Sequence, residues 1–534
     1  MSTTAPGAAM PANANPVSEK ANPRHLILFA AMIVGQFMAI LDTQIVAASL
    51  TKIQSGLAAS AEEITWIQTS YLIADVIMIP FSGFLARWLS TRIVFVASAA
   101  GFTLASIWAG LATSMTELIL ARACQGFLGG AMTPLVFATA FTIFPPKVRD
   151  KTLVMMGLIV PLAPIIGPSF GGYITETLSW RWLFFINVVP GLAIMAVVWK
   201  FGRIDSANPA LGKGFDFAGL VLMAVCLGGL EYALEEGPRN DWFDDPWVGR
   251  IIVISGISGV VFIWRTLYHF NPIIELRILA NRNFAIGTAL HALIGVGLFG
   301  STFLVPLYLA VVRQLDAMQI GAVMTIGGLV MPPIAPISNF LLKRIDHRLQ
   351  IAIGAALAGV GFFQATRMTA DWDFYELVGP QVMRSVGMML IYPALTRFAL
   401  GNVPPQLMKS SSALFNLSRQ LGGAVGLALL NSLLTDRTHF HWQRLAEKVN
   451  AARPEVQAQI DRLMERADSM TGVDPQAFML RRMAGTVQRQ AQVMSFADGF
   501  LAVSLAYFVV VGLMVALLAL SMMQRGNGVH QGSG

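Results

Sequence analysis

Five charged residues stand where charge is expensive. Asp42, Asp75, Arg122, Arg384 and Arg419 each lie inside a long, largely apolar run. Such a run, about 20 residues as a helix, crosses a bilayer. A charge at the bilayer centre costs about 2.5–3.5 kcal/mol on insertion scales, so it persists where it is paired or where it works. Asp42 lies about 16 residues into the first run, roughly 24 Å from its starting edge at 1.5 Å per residue. Arg122 lies about 5 residues, or roughly 8 Å, below the edge of the fourth run that faces the same way. In a hydrocarbon core about 30 Å thick these depths coincide, so Asp42 and Arg122 are expected to be neighbours. Two chemistries suit such a pair. One is a static ion pair. The other is a proton-responsive pair, in which protonating Asp42 frees Arg122 and shifts a conformational balance. Asp75, about ten residues into the second run, suits a proton carrier or a contact for cationic ligands. Arg384 and Arg419 suit either anchoring of anionic groups or pairing with acids. His291 is a titratable group or a hydrogen-bonded packing residue. Glu231, near the end of the seventh run, is expected to reach the interface.

The elements that must position these groups follow from composition. Of 534 residues, 55 % are hydrophobic and 13 % charged, about half the charge of a soluble domain. Fourteen spans are read at roughly 26–48, 65–86, 92–113, 117–141, 152–174, 183–202, 216–235, 248–268, 284–308, 318–342, 349–367, 376–398, 411–436 and 495–523. With the N-terminus in the cytoplasm, Lys and Arg gather in alternate loops, as in Lys147, Arg149 and Lys151 or Lys343, Arg344 and Arg348. The opposite loops carry Glu235, Glu236, Asp241, Asp244 and Asp245. This alternation requires an even number of spans and both termini inside. The net charge of +7 thereby has a source that does not involve nucleic acid. Cys124 and Cys226 lie in apolar runs and offer neither a disulfide framework nor metal-ligand spacing. The sequence lacks a phosphate-binding G-x-x-x-x-G-K-[ST] loop, so uphill work must draw on an ion gradient or a partner.

Four motifs resemble the major facilitator superfamily, and within it the fourteen-helix drug:proton antiporters of the EmrB/QacA type. Leu41-Asp42-Thr43-Gln44-Ile45-Val46 is similar to the L-D-x-T-I-V pattern of the fourteen-helix members. Arg122 with Gln125, Gly126 and Gly130 matches R-x-x-Q-G-x-x-x-G. Gly167-Pro168-Ser169-Phe170-Gly171-Gly172 matches the G-P-x-x-G-G segment associated with antiporters. Arg419-Gln420-Leu421-Gly422-Gly423 is also like this subfamily, as is Trp182-Leu183-Phe184-Phe185-Ile186-Asn187. The loop between spans 2 and 3 departs from the usual G-x-x-x-D-R-x-G-R, because Arg87 stands where Asp is expected and Ser90 where Gly is expected. A latch that needs that Asp does not carry over.

The resemblance implies an all-α integral membrane protein of major facilitator fold, with two six-helix bundles plus two additional transmembrane helices. The expected division is a disordered cytoplasmic tail at 1–24, an N-terminal bundle at 25–204, two inserted helices at 205–270 and the first five C-terminal helices at 271–436. A periplasmic helical loop at 437–494, the last span at 495–523 and a cytoplasmic tail at 524–534 complete it. Val449, Val456, Leu463 and Met470 recur every seven residues in the 437–494 loop, with Ile460 between. That stripe suits a helix on the membrane or on the protein's own outer face, or a docking surface for a partner helix. The prolines of span 5 (Pro161, Pro164, Pro168) and span 10 (Pro332, Pro333, Pro336) are read as matching places in two repeats. Met155, Met156, Met324, Met331, Met388 and Met389 are candidate cavity-wall residues or ordinary packing.

The function implied is proton-coupled efflux of hydrophobic or amphiphilic compounds across a bacterial inner membrane. Family members in two-membrane bacteria work with a periplasmic adaptor and, through it, an outer-membrane channel. A dedicated exporter of one compound, such as a fatty acid or siderophore, is the alternative. No cofactor or metal is called for. An enzyme would need a nucleophile, metal or acid–base cluster, and H-E-x-x-H is absent. A receptor would have no use for the antiporter-like Gly167-Pro168 segment.

Overall fold

A computed structural model describes residues 22–47, 49–60, 63–450, 453–468 and 474–530. Most of the 1–24 tail, with Lys20, and residue Met470 of the loop stripe lie outside them. Thirteen helices among the described residues are long and apolar enough to cross a membrane. Spans 1 to 6 are Pro23–Ala47, Glu63–Leu89, Thr91–Leu111, Met115–Ile143, Pro146–Thr177 and Trp182–Phe201. Spans 7 and 8 are Phe217–Arg239 and Pro246–Tyr268. Spans 9 to 11 are Arg282–Val311, Met318–Arg344 and His347–Ala365, and spans 13 and 14 are Pro405–Ala446 and Pro475–Met523. Span 12 is the 27-residue helix Phe374–Leu400. It is less apolar than its neighbours because Gln381, Arg384, Pro380 and Pro393 interrupt it.

Lipid tails are as apolar as leucine, so these helices associate through close packing and polar contacts rather than hydrophobic burial. Glycine supplies the close approach. A Cβ on Gly126 of span 4 would meet the Tyr71 backbone of span 2, with Cα and C at 2.9 Å. Span 5 lays Gly167 and Gly171 on Gln44 and Ile45 of span 1. Span 13 lays Gly422 and Gly426 on Ala292 and Val296 of span 9. The two halves therefore repeat one construction, in which span 9 corresponds to span 1 and span 13 to span 5. This corrects the reading of the prolines. Spans 5 and 10 are not repeat mates. They face each other across the junction of the halves, where Gly328 of span 10 packs on Leu162, Ile165 and Ile166 of span 5. Both remain continuous helices through their prolines.

Spans 7 and 8 lie at the periphery. Gly228 of span 7 packs on Ile73 and Ile77 of span 2, whereas in span 8 only 17 % of the apolar window is buried. Val260 and Trp264 there are exposed, as residues facing lipid would be. Cys124 also faces outward and Cys226 is half-buried, both as free thiols.

The 437–494 segment is helical, but its ends are not helix ends. The helix of span 13 runs unbroken from Met408 to Ala446, and that of span 14 starts at Pro475. Between them stands one short helix, Pro454–Asp468. Val456, Ile460 and Leu463 are half-buried on it, and the elements it packs on include the extended helix of span 14. Val449 precedes this helix and is 40 % exposed.

Candidate functional site

Asp42 and Arg122 meet inside the N-terminal half, both 0 % exposed. Arg122 Nη1 pairs with Asp42 Oδ2. Asp42 Oδ1 accepts from Gln125 Nε2 at 3.0 Å and from Asn187 Nδ2 at 2.7 Å. Gln125 Oε1 accepts from Arg122 Nη1 at 2.7 Å, and Ile67 O accepts from Arg122 Nε at 3.2 Å. Ser106 Oγ accepts from Gln125 Nε2 at 2.8 Å and lies 3.3 Å from Asn187 Nδ2. Five spans thus converge on one carboxylate and one guanidinium. The arrangement supplies most of the hydrogen bonds that a buried pair needs to offset its desolvation, although Arg122 Nη2 has no partner. The Tyr71 ring lies under Arg122, 4.3 Å from its guanidinium carbon. Tyr71 also lines a central cavity that includes neither Asp42 nor Arg122, so it walls the pair off from that space.

The cavity itself lies between the halves and measures about 210 Å³. Span 1 contributes Ile40, Thr43 and Gln44, and span 2 contributes Gln68, Tyr71 and Asp75. Across from them stand Phe299, Thr302 and Phe303 of span 9 and Asn416, Arg419 and Gln420 of span 13. Gly130 of span 4 lies directly against Asp75: a Cβ there would stand 2.9 Å from Asp75 Oδ1. Asp75 and Arg419 therefore present opposite charges to one space from opposite halves. Arg419 keeps Nε, and Asn416 keeps Oδ1, without a hydrogen-bond partner. The volume is below the roughly 300–1,000 Å³ of ordinary ligand pockets, so a drug-sized guest requires the halves to part.

The remaining predicted residues are dispersed. Gly167 and Gly171 serve the contact with span 1, Gly172 is buried, and Pro168 sits within the helix of span 5. His291 is buried away from the cavity lining; its Nδ1 lies 2.7 Å from Phe415 O and its ring stacks on Phe415 at 3.7 Å. Arg384 is buried in the C-terminal half and also absent from the cavity lining. No methionine lines the cavity. Met156, Met324, Met331, Met388 and Met389 are packed in the core, and Met155 faces outward. The wall instead combines amides and hydroxyls with phenylalanines and aliphatic residues such as Ile40, Leu72, Ile79 and Leu427. Glu231 does not reach the interface. It is 2 % exposed, with Oε2 unpartnered, because span 7 turns it inward.

Three groups of interactions were missed. Asn187, although part of a quoted motif, is a ligand of Asp42. Asp205, between spans 6 and 7, supplies a carboxylate beside the loop that lacks an Asp at position 87. It accepts from Thr91 N at 3.0 Å and Thr91 Oγ1 at 2.6 Å, and it pairs with Lys409 at the start of span 13. Lys409 Nζ also donates to Ala86 O at 2.8 Å. Beside it Arg87 pairs with Glu275 at 3.2 Å, and Asp150 of span 5 pairs with Arg397 of span 12 at 2.7 Å. These three bridges join the halves at the face where span 1 begins and span 14 ends. No spacing rule could find them, because their partners lie 188 to 247 residues apart.

The Major Facilitator Superfamily model matches residues 32–427. The chain belongs to this superfamily. It is 37 % identical over 471 residues, 88 % of the chain and 92 % of the relative, to the colistin resistance protein EmrB of Acinetobacter baumannii. Identity to the multidrug export protein EmrB of Escherichia coli is 29 % over 82 % of the chain and 86 % of that protein. Identity to the fatty acid resistance protein FarB of Neisseria gonorrhoeae is 28 % over 92 % and 96 %. Among solved structures, the human organic anion transporter MFSD10 (TETRAN) matches with a TM-score of 0.57 at 12 % identity, covering 91 % of this chain and all of that one. The superfamily fold and the drug-exporter relatives thus agree with the fourteen-span reading.

Proposed function

We propose that this protein is a proton-coupled exporter of hydrophobic or amphiphilic small molecules. Asp75 and Arg419, facing one cavity from opposite halves, carry the reading. A carboxylate in that position holds a proton or a cationic guest, but not both, and such competition is the basis of antiport. Movement between the halves makes and breaks the three bridges at the face of the termini. The sealed Asp42–Arg122 network, one aromatic layer behind the cavity, responds to the same proton through Tyr71. The chain acts as a transporter and not as an enzyme. Its alternating basic loops support an inner-membrane orientation with both termini cytoplasmic, which makes the present state closed to the cytoplasm.

A periplasmic adaptor remains part of the proposal. Because the apolar stripe of Pro454–Asp468 is turned at least in part toward the protein's own span 14, the adaptor would meet the charged, outward side of this segment. A second reading is favoured by Arg419, a guanidinium in the cavity lining: export of an amphiphilic acid, in keeping with the relative named for fatty acid resistance.

The test uses purified protein in vesicles with an imposed proton gradient and an internal pH dye. Cationic and anionic amphiphiles should each dissipate the gradient in proportion to their transport, and Asp75→Asn should abolish the response. Substrate-dependent transport unaffected by collapse of the gradient would exclude antiport.

A further inference from the structure

A second cavity, of about 440 Å³, lies at the face where span 1 begins and span 14 ends. It crosses the junction of the halves. The N-terminal half contributes Phe141, Arg149 and Asp150, and the C-terminal half contributes Arg348, Arg397 and Phe398. None of these residues lines the central cavity.

Three guanidiniums and two carboxylates line this second space. Arg397 is paired with Asp150 at 2.7 Å. Asp346 is exposed and caps span 11, accepting from Arg348 N at 2.8 Å. The side chains of Arg149 and Arg348 have no carboxylate partner among the described residues. Both are nevertheless fixed in place. Arg149 lies over the Phe141 ring, 5.1 Å from its centroid, and its Nη2 donates to Phe141 O and Phe144 O at 3.2 Å. Arg348 lies over the Phe398 ring at 5.8 Å, and its Nη1 donates to Leu517 O at 3.1 Å. One arm of each fork is thereby anchored. Arg149 Nη1 and Arg348 Nη2 donate to no protein acceptor, and neither is closed off from solvent.

Two immobilised guanidiniums, one from each half, thus present free donors to one space. The planar fork of arginine matches the oxygens of a phosphate, and a fork already held in place loses little freedom when it binds. Pro146, Asn283 and His347, in the first turns of spans 5, 9 and 11, also line the cavity. Helix N-termini add positive potential where an anion would sit. The space is within the range of ordinary ligand pockets, roughly 300–1,000 Å³. Its position among helix ends is the level of lipid headgroups, which lie just outside the hydrocarbon core.

We propose that this cavity binds a phosphate group, carried by an anionic phospholipid or free in solution, through Arg149 and Arg348. The phosphate links the two halves beside the Asp150–Arg397 bridge. The site depends neither on which compound is exported nor on proton coupling.

The test measures melting of the purified full-length protein in two arms. In the first, delipidated protein in detergent is compared in potassium phosphate and potassium chloride at equal ionic strength and pH. In the second, nanodiscs of phosphatidylcholine are compared with nanodiscs that also contain phosphatidylglycerol. Occupancy should raise the melting temperature by about 2–5 °C, saturably, as a ligand of the native state does. A gain in the first arm shows that free phosphate suffices, and a gain in the second arm alone assigns the site to the lipid headgroup. Arg149→Gln and Arg348→Gln should each abolish the gain. Asn402 is exposed in the same lining, so Asn402→Asp should fold normally and set a repelling charge beside the phosphate. It should raise the phosphate concentration or lipid fraction needed for half the gain by about threefold or more, and it decides the matter if an arginine variant does not fold. No gain in either arm would overturn the proposal. A gain that persists in the arginine variants, or is unchanged in Asn402→Asp, would place the anion elsewhere and equally overturn it.

Discussion

Replacing Asp42 by Asn tests whether the buried pair is an energetic unit and whether it couples to protons. The carboxylate accepts from three donors, Arg122, Gln125 and Asn187, in a site with no solvent exposure. Removing one partner of a buried ion pair typically costs about 3–5 kcal/mol, because the other charge is left uncompensated. Here Arg122 retains Gln125 Oε1 and Ile67 O as acceptors, which points to the lower end, about 3 kcal/mol. Asn keeps the shape, yet its amide directs two hydrogens toward positions where the carboxylate meets only donors. Arg122→Met leaves the carboxylate with two amide donors and should cost a similar amount. The double variant has no orphaned charge, so it should fall short of the sum of the two singles by about 2–3 kcal/mol, a coupling typical of partners in contact. Reversible unfolding in mixed detergent micelles measures all three. The same variants in proteoliposomes should show normal insertion, with drug-driven proton movement abolished in Asp42→Asn. Singles that add to within about 0.5 kcal/mol would refute the energetic argument. Undiminished proton movement in Asp42→Asn would reduce the network to a scaffold.

Asp75→Asn should leave the melting temperature near that of the wild type, since the carboxylate has no ion-pair partner to lose, while export of cationic compounds falls at least tenfold in vesicle assays. Gly126→Ala should cost about 1–3 kcal/mol or prevent folding, because its methyl group would meet the Tyr71 backbone rather than a side chain that can yield; size-exclusion profiles and yield in detergent report this. Lys409→Gln should break the bridge to Asp205 and raise the labelling rate of a cysteine placed at the terminal face several-fold, with Asp205→Asn giving the same effect and the double variant no more. Deleting 447–474 should spare insertion and proton-linked transport in vesicles, and whole-cell resistance then reports whether this segment engages an adaptor.

The comparison of halves shows why depth was easier to read than contact. The register of Asp42 and Arg122 along their helices follows from a rise of 1.5 Å per residue and the thickness of a bilayer, and two groups at one depth within a bundle have few ways to miss each other. Glu231 shows the limit of the same reasoning. Its depth near the end of span 7 was right, but the azimuth of the helix was decided by Gly228 packing on span 2, which turned the carboxylate inward. The methionines were left open between cavity wall and packing for the same reason, since composition does not say which side of a helix faces the cavity, and most proved to be packing. Asp205 failed for another: a carboxylate brought through space beside the loop between spans 2 and 3 leaves no trace in local spacing.

Hydropathy, alternation of loop charge and four short motifs determined the number of passes, their depth and the superfamily, because each depends only on the bilayer acting as solvent along one axis. Rotation of helices about their axes was left to the tertiary structure. It decided that Asp75 and Arg419 share a cavity, that Asp42 lies sealed behind Tyr71, and that Glu231 turns inward. The bilayer fixes position along its normal and is indifferent to direction within its plane, so these choices belong to the packing of one helix against another.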